Sequence, residues 1–148
     1  MPQSLAKVFI HIVFATKHSQ PIISTIIQTE LHAYMVGTIS KLGSYTNAIY
    51  ANPDHIHILC NLPRTITLSD FISKIKTSSS KWIKTRGMAN FSWQDGYGAF
   101  SVSSSKIKVV EKYILNQSEH HKKVRFKEEL RKFFEEYGIE YDERYVWD

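Results

Sequence analysis

Cysteine is almost missing from this 148-residue chain: Cys60 stands alone, so no disulfide forms within it and a reducing compartment suits it. Long hydrophobic runs are missing too. No window approaches the ~18 consecutive apolar residues of a membrane-spanning helix. The opening Met1-Pro2-Gln3-Ser4-Leu5-Ala6-Lys7 lacks the basic, apolar and cleavage regions of a secretory signal. These absences together predict a cytoplasmic protein with no membrane contact. There are no internal repeats, low-complexity tracts or linkers, which excludes a solenoid or a string of modules. We therefore expect one domain over residues 1–148, a core over 1–104 followed by a helical segment over 105–148. The charge leans positive, 19 Lys and Arg against 14 Asp and Glu, which allows a polyanionic partner without requiring one.

Chemistry concentrates between Asn52 and Pro63, in Asn-Pro-Asp-His-Ile-His-Ile-Leu-Cys-Asn-Leu-Pro. After the Asn-Pro-Asp turn signal the residues alternate, as in a β-strand. Alternation sends His55 and His57 to one face and Ile56, Ile58 and Cys60 to the other. Two imidazoles at this spacing can share a divalent cation through neutral ring nitrogens, although such pairs more often serve only as solvated or hydrogen-bonded side chains. Leu5 to Thr16 alternates in the same way, with His11 on the second face. If this strand lies beside the first, His11 approaches the same site, where a supporting or packing role suits it better than ligation.

The remaining pattern places a helix over Ile22–Leu42 ending at Gly43, a strand over Tyr45–Ala51, and a second helix capped near Thr67 or Ser69. A loop over Gly87–Gly98 and a short strand over Ala99–Ser103 follow. The order β-α-β-β-α-β predicts an α+β, ferredoxin-like or RRM-like sandwich with an antiparallel sheet, its first and third strands central and two helices on one face. The other face is expected to be open, with small Ala99, Ser101 and Ser103 leaving room for a substrate. Basic residues such as Lys17, Lys74 and Lys81 usually mark a solvated surface, but in a nucleic-acid enzyme they would contact phosphates. Trp93 in the loop is a candidate for stacking on an unpaired base, with packing the commoner fate.

A third helix is expected from Ser105 to about His121. Tyr113 and Gln117, four apart, emerge side by side on it, and the Gln117 carbonyl suits a hard cation. His120 and His121 lie two turns beyond Tyr113, as candidate DNA or proton-transfer contacts or simply as solvated ends. A last amphipathic helix runs over Val124–Tyr137, with Phe126, Leu130, Phe133 and Tyr137 on one side. The apolar tail through Trp147 is expected to dock on its own domain or a dimer mate.

Pro53-Asp54-His55-Ile56-His57-Ile58, then Trp93 to Val102, then Tyr113-Ile114-Leu115-Asn116-Gln117-Ser118-Glu119-His120-His121 together resemble the small TnpA-like single-tyrosine HUH transposases of insertion sequences. REP-associated tyrosine transposases are related to these. The likeness spans nearly the whole chain. It implies that His55, His57 and Gln117 bind a divalent cation, Mg²⁺ or Mn²⁺, and that Tyr113 is the nucleophile that cleaves and rejoins single-stranded DNA, with hairpin DNA at element ends as partner. It also implies a homodimer, leaving open whether each Tyr113 helix serves its own subunit or its mate. Two other readings stand beside it: a non-catalytic RRM-like nucleic-acid binder, and a metal-dependent phosphodiesterase that uses water.

Overall fold

Alternation along Phe9–Ala15, the central strand β1, gives the sheet two apolar faces where one was expected. Ile10, Ile12 and Phe14 join one hydrophobic cluster; Val13 and Ala15 join another on the opposite side. The computed structural model describes residues 2–148; Met1, the first residue of the opening segment, lies outside them. β1 pairs with β3 (His55–Asn61) and β4 (Gly98–Val102), and β2 (Thr46–Ala51) closes the other edge, giving the antiparallel order β2-β3-β1-β4. The β-α-β-β-α-β order and its central pair are as expected. β1 begins at Phe9 rather than Leu5 because Asn61, the end of its partner, lies directly opposite Phe9.

Helices α1 (Thr25–Lys41) and α2 (Leu68–Lys84) cover the Ile10 face. Leu31, Met35, Ile39, Phe71, Ile72 and Ile75 pack against Ile12, Phe14, Ile56 and Ile58. Gly43, at φ +91°, turns the chain out of α1 in a conformation that costs glycine nothing. Thr67 caps α2 as expected, its hydroxyl accepting the Asp70 N–H at 3.2 Å.

The second face is not open. Helices α3 (Ile107–Leu115), α4 (Gln117–His120) and α5 (Phe126–Glu136) close it, with Ile114, Phe126, Leu130 and Phe134 over Val13, Leu59 and Phe100. The expected continuous helix over 105–121 breaks at Asn116, a residue whose short amide competes with helical hydrogen bonding. The small residues of β4 do not line a substrate space either. Pairing sets Ala99 opposite Ile12 and Ser101 opposite Ile10, on the α1/α2 side, whereas Phe100 sits opposite His11.

Trp93 belongs to the core rather than to a stacking surface. Its ring meets Phe14 and Phe91 edge-on, at 4.8 Å between centroids in each case, and its Nε1 donates to Ser79 Oγ at 3.0 Å. Burying the indole is favourable here because its one polar atom finds a partner. Lys76 pins the following turn, its Nζ donating to the carbonyls of Gln94 (2.8 Å), Asp95 (3.2 Å) and Gly96 (2.6 Å); burial lowers its pKa to about 8. Lys76→Ala leaves these carbonyls without their donor and is expected to cost about 1–3 kcal/mol. Urea unfolding checks this, and an unmoved midpoint would contradict it. The tail docks on its own domain: Trp147 lies against Phe126, and the Asp148 carbonyl accepts the Gly96 N–H at 2.9 Å.

Candidate active site

β3 directs His55 and His57 to the side of the sheet covered by α3–α5, with Val13 and Ala15 of β1 directly opposite them. Each ring is held by its outer nitrogen. His55 Nδ1 lies 2.7 Å from Asp54 Oδ1, and His57 Nδ1 lies 2.8 Å from His11 Nε2. Both Nε2 atoms are thereby left facing the same space, the way outer hydrogen bonds orient metal-binding imidazoles. His11 is buried and hydrogen-bonds to His57 rather than facing Glu129, a position that suits a supporting role better than ligation. Burial lowers the pKa of His57 to about 4 and pushes that of His11 well below the ordinary value, so both rings are neutral near pH 7, the form that ligates a cation. Burial also opposes charge on His55, but the hydrogen bonds to Asp54 and Glu129 prevail and raise its pKa.

α3 and α4 bring the other two expected residues to the same place. The Tyr113 ring stands 5.8 Å from that of His57 and 6.2 Å from that of His11. Gln117 is fully buried; its Oε1 accepts from Asn52 Nδ2 at 3.1 Å and its Nε2 donates to Glu129 Oε2 at 3.2 Å. Tyr113, Gln117, His55 and His57 thus converge within one chain.

Glu129 of α5 was not anticipated, and it occupies the middle of the cluster. Its Oε1 lies 3.0 Å from His57 Nε2, 3.2 Å from His121 Nε2 and 3.5 Å from His55 Nε2. Its Oε2 accepts from the Tyr113 hydroxyl and lies 3.1 Å from His120 Nε2. The sequence carried a signal for it: Phe126, Glu129, Leu130 and Phe133 fall at i, i+3, i+4 and i+7, so a carboxylate sits on the apolar stripe of its helix. Burial alone would raise its pKa, but hydrogen bonds with His121, His55 and His57 hold it far below the usual carboxylate range. Burial, then the adjacent Glu129 charge, raises the Tyr113 phenol above its ordinary value. His120 and His121 are not solvated helix ends: His121 Nε2 is 3.0 Å from His55 Nε2, and His120 Nε2 is 3.3 Å from the Tyr113 hydroxyl.

Lys17, Lys74 and Lys81 stand away from this cluster and do not support it. Lys17 pairs with Asp95 at 3.3 Å, while Lys74 and Lys81 belong to α2, across the sheet. The donors that face one another are imidazole nitrogens of His55, His57 and His121 and the oxygens of Glu129, a set that fits a divalent cation, while Gln117 turns its Nε2 to that carboxylate and its Oε1 to Asn52. A cleft of about 500 Å³ opens beside His121 and is lined by Asn52, Asp54, Arg125, Lys127 and Arg131. No helix among the described residues is long and apolar enough to cross a membrane.

Residues 4–117 match the family described as "Transposase IS200 like". None of the curated proteins matches the chain. Among solved structures, a proposed transposase from Deinococcus radiodurans R1 is similar at 20% identity and a TM-score of 0.62, over 79% of this chain and 98% of that one. A REP-associated tyrosine transposase bound to a REP hairpin is similar at 17% identity and a TM-score of 0.59, over 84% of this chain and 74% of that one. At these identities the two structures bear on the fold, and both share it with this chain.

Proposed function

The chain belongs to the IS200-like transposase family, and from that premise we propose that it cuts and rejoins single-stranded DNA through a 5′-phosphotyrosine on Tyr113. The observation that carries the reading is the gathering of the Tyr113 hydroxyl, His55, His57 and Gln117 around Glu129, with the Tyr113 ring beside that of His57, in one site of one chain. In-line attack by the phenolic oxygen forms the O–P bond, the P–O3′ bond breaks, and the leaving oxygen takes up a proton as a 3′-OH. The phenolic proton has two acceptors within reach, Glu129 Oε2 and His120 Nε2. A divalent cation, Mg²⁺ or Mn²⁺, bound at His55, His57 and Gln117 would polarise a non-bridging phosphate oxygen. Because the phosphodiester energy is kept in the tyrosine ester, a second 3′-OH reverses the step and joins strands without ATP.

The structurally similar REP-associated transposase was captured on a hairpin, and we extend hairpin recognition to this chain. Arg125 and Lys127 line the cleft beside the site and are the phosphate contacts of this reading, with Lys17, Lys74 and Lys81 as outlying ones; Arg131 is paired with Glu143. A homodimer belongs to the proposal; one chain already holds the four side chains, which supports sites assembled in cis. An RRM-like stacking role is disfavoured because α3–α5 cover the sheet face it would use.

The test is incubation of the full chain with hairpin-bearing single strands and Mn²⁺ or Mg²⁺, followed by denaturing electrophoresis and mass spectrometry. DNA attached through its 5′ phosphate to the peptide containing Tyr113 is the expected result. Cleaved strands whose ends are all free of protein would replace the reading with a water-using phosphodiesterase.

A further inference from the structure

Building on the cation reading above, we propose that His121 and Glu129 ligate the same cation as His55 and His57, and that this nitrogen-rich set selects a transition-metal dication over Mg²⁺. His55 Nε2, His57 Nε2, His121 Nε2 and a Glu129 oxygen all lie within 4.8 Å of one another. Donors placed tetrahedrally at ~2.0–2.2 Å from an ion stand about 3.3–3.6 Å apart. Four of the six separations are close to that, 3.0 Å for His55–His121, 3.0 Å for His57–Glu129, 3.2 Å for His121–Glu129 and 3.5 Å for His55–Glu129, and the other two lie within 4.8 Å. The outer nitrogens of His55 and His57 are committed to Asp54 and His11, so the inner pair faces Glu129, with Asn52 Nδ2 also 3.1 Å from His55 Nε2.

Two further features agree. A buried carboxylate carried on the apolar stripe of α5 needs positive charge or hydrogen-bond donors beside it, and a dication held by the same imidazoles would supply the charge. Gln117 abuts the set, its Nε2 orienting Glu129 Oε2 while Asn52 donates to its carbonyl. Three imidazoles and a carboxylate suit Mn²⁺, Co²⁺ or Zn²⁺, whereas Mg²⁺ favours an all-oxygen octahedron. Glu129 ligation ties α5 to the sheet through the ion, so metal should stabilise the folded chain by linkage.

The test is calorimetric titration of the metal-stripped full chain with MnCl₂, CoCl₂ and MgCl₂, together with thermal melts and the visible spectrum of the Co²⁺ form. For the unsubstituted protein, Mn²⁺ and Co²⁺ are expected to bind at least about 10-fold more tightly than Mg²⁺. Glu129→Gln and His121→Ala should each weaken Mn²⁺ binding about 10- to 100-fold, alter the Co²⁺ spectrum and remove most of the metal-dependent rise in melting temperature. His121→Ala carries the test if the Glu129 variant folds poorly. Full Mn²⁺ affinity in both variants would overturn this assignment and leave a cation at His55 and His57; no metal binding by the unsubstituted chain would overturn both. Mg²⁺ binding as tight as Mn²⁺ would overturn the selectivity.

Discussion

Tyr113→Phe is expected to abolish covalent attachment to DNA, by at least about 10⁴-fold, the scale on which removal of a covalent nucleophile acts. Phenylalanine keeps the ring that packs beside His11, His57 and Phe133, so the site loses one oxygen and little of its shape. Glu129 Oε2 retains Gln117 and His120 as partners, and stability should change by no more than about 1 kcal/mol. The measurement is adduct yield on denaturing gels at saturating DNA, with a thermal melt beside it. A wild-type yield from the phenylalanine protein would move the nucleophile elsewhere and dissolve the proposed mechanism. A lost yield accompanied by a collapsed melt would indicate damage to the fold.

The largest expected effect on stability belongs to Phe14→Ala. Phe14 is fully buried beneath α1 and α2, edge-on to Trp93, with Lys76 Nζ 5.2 Å from its ring centre. Truncating such a ring removes the transfer free energy of its atoms and leaves a cavity that the surrounding β-strand and helices cannot fill, at a cost of about 3–5 kcal/mol. A chain of this size has only about 5–15 kcal/mol in total, so the melting temperature should fall by roughly 10–15 °C. Phe14 points away from the histidine cluster. At low temperature, adduct yield per folded molecule should therefore stay near that of the parent chain. A melting shift below about 3 °C would mean that this packing contributes far less than its burial implies.

The structure makes Glu129 the residue on which the whole cluster turns, although no short motif marks it in the sequence. Motif reasoning looks for ligands at short, regular spacings, as with His55 and His57 or Tyr113 and Gln117. Glu129 lies 72 residues from His57 and meets it only across the packing of α5 on the sheet. Its place on the Phe126–Leu130–Phe133 stripe was legible as an anomaly in the pattern, a charge where an apolar side chain belongs. What that charge faces depends on how α5 docks. His120 and His121 illustrate the same limit: their spacing from Tyr113 could be counted, but the break at Asn116 sends them inward rather than to solvent.

The open sheet face failed as an expectation for a related reason. Alternation reports only that successive β1 side chains take opposite faces, and the amphipathic stripes of α3 and α5 report that each seeks a partner. Which stripe covers which face is not written in either one. Likewise, Ala99 and Ser101 alternate cleanly with Phe100, yet only pairing with β1 determines that Phe100 and not the small residues faces the histidines.

Taken by itself, the sequence determined what is local: the alternating strands, the helical stripes, the cap at Thr67, the turn at Gly43, and the imidazole and phenol–amide pairs whose spacing resembles a transposase. Tertiary structure alone decided which of these meet. Hydrogen-bond register set the faces of the sheet, and the docking of α3–α5 closed the second face, brought Tyr113 to His57, and placed Glu129 among three imidazoles. Side-chain direction follows from a few neighbouring dihedral angles, whereas contact between distant segments follows from how whole apolar surfaces find each other.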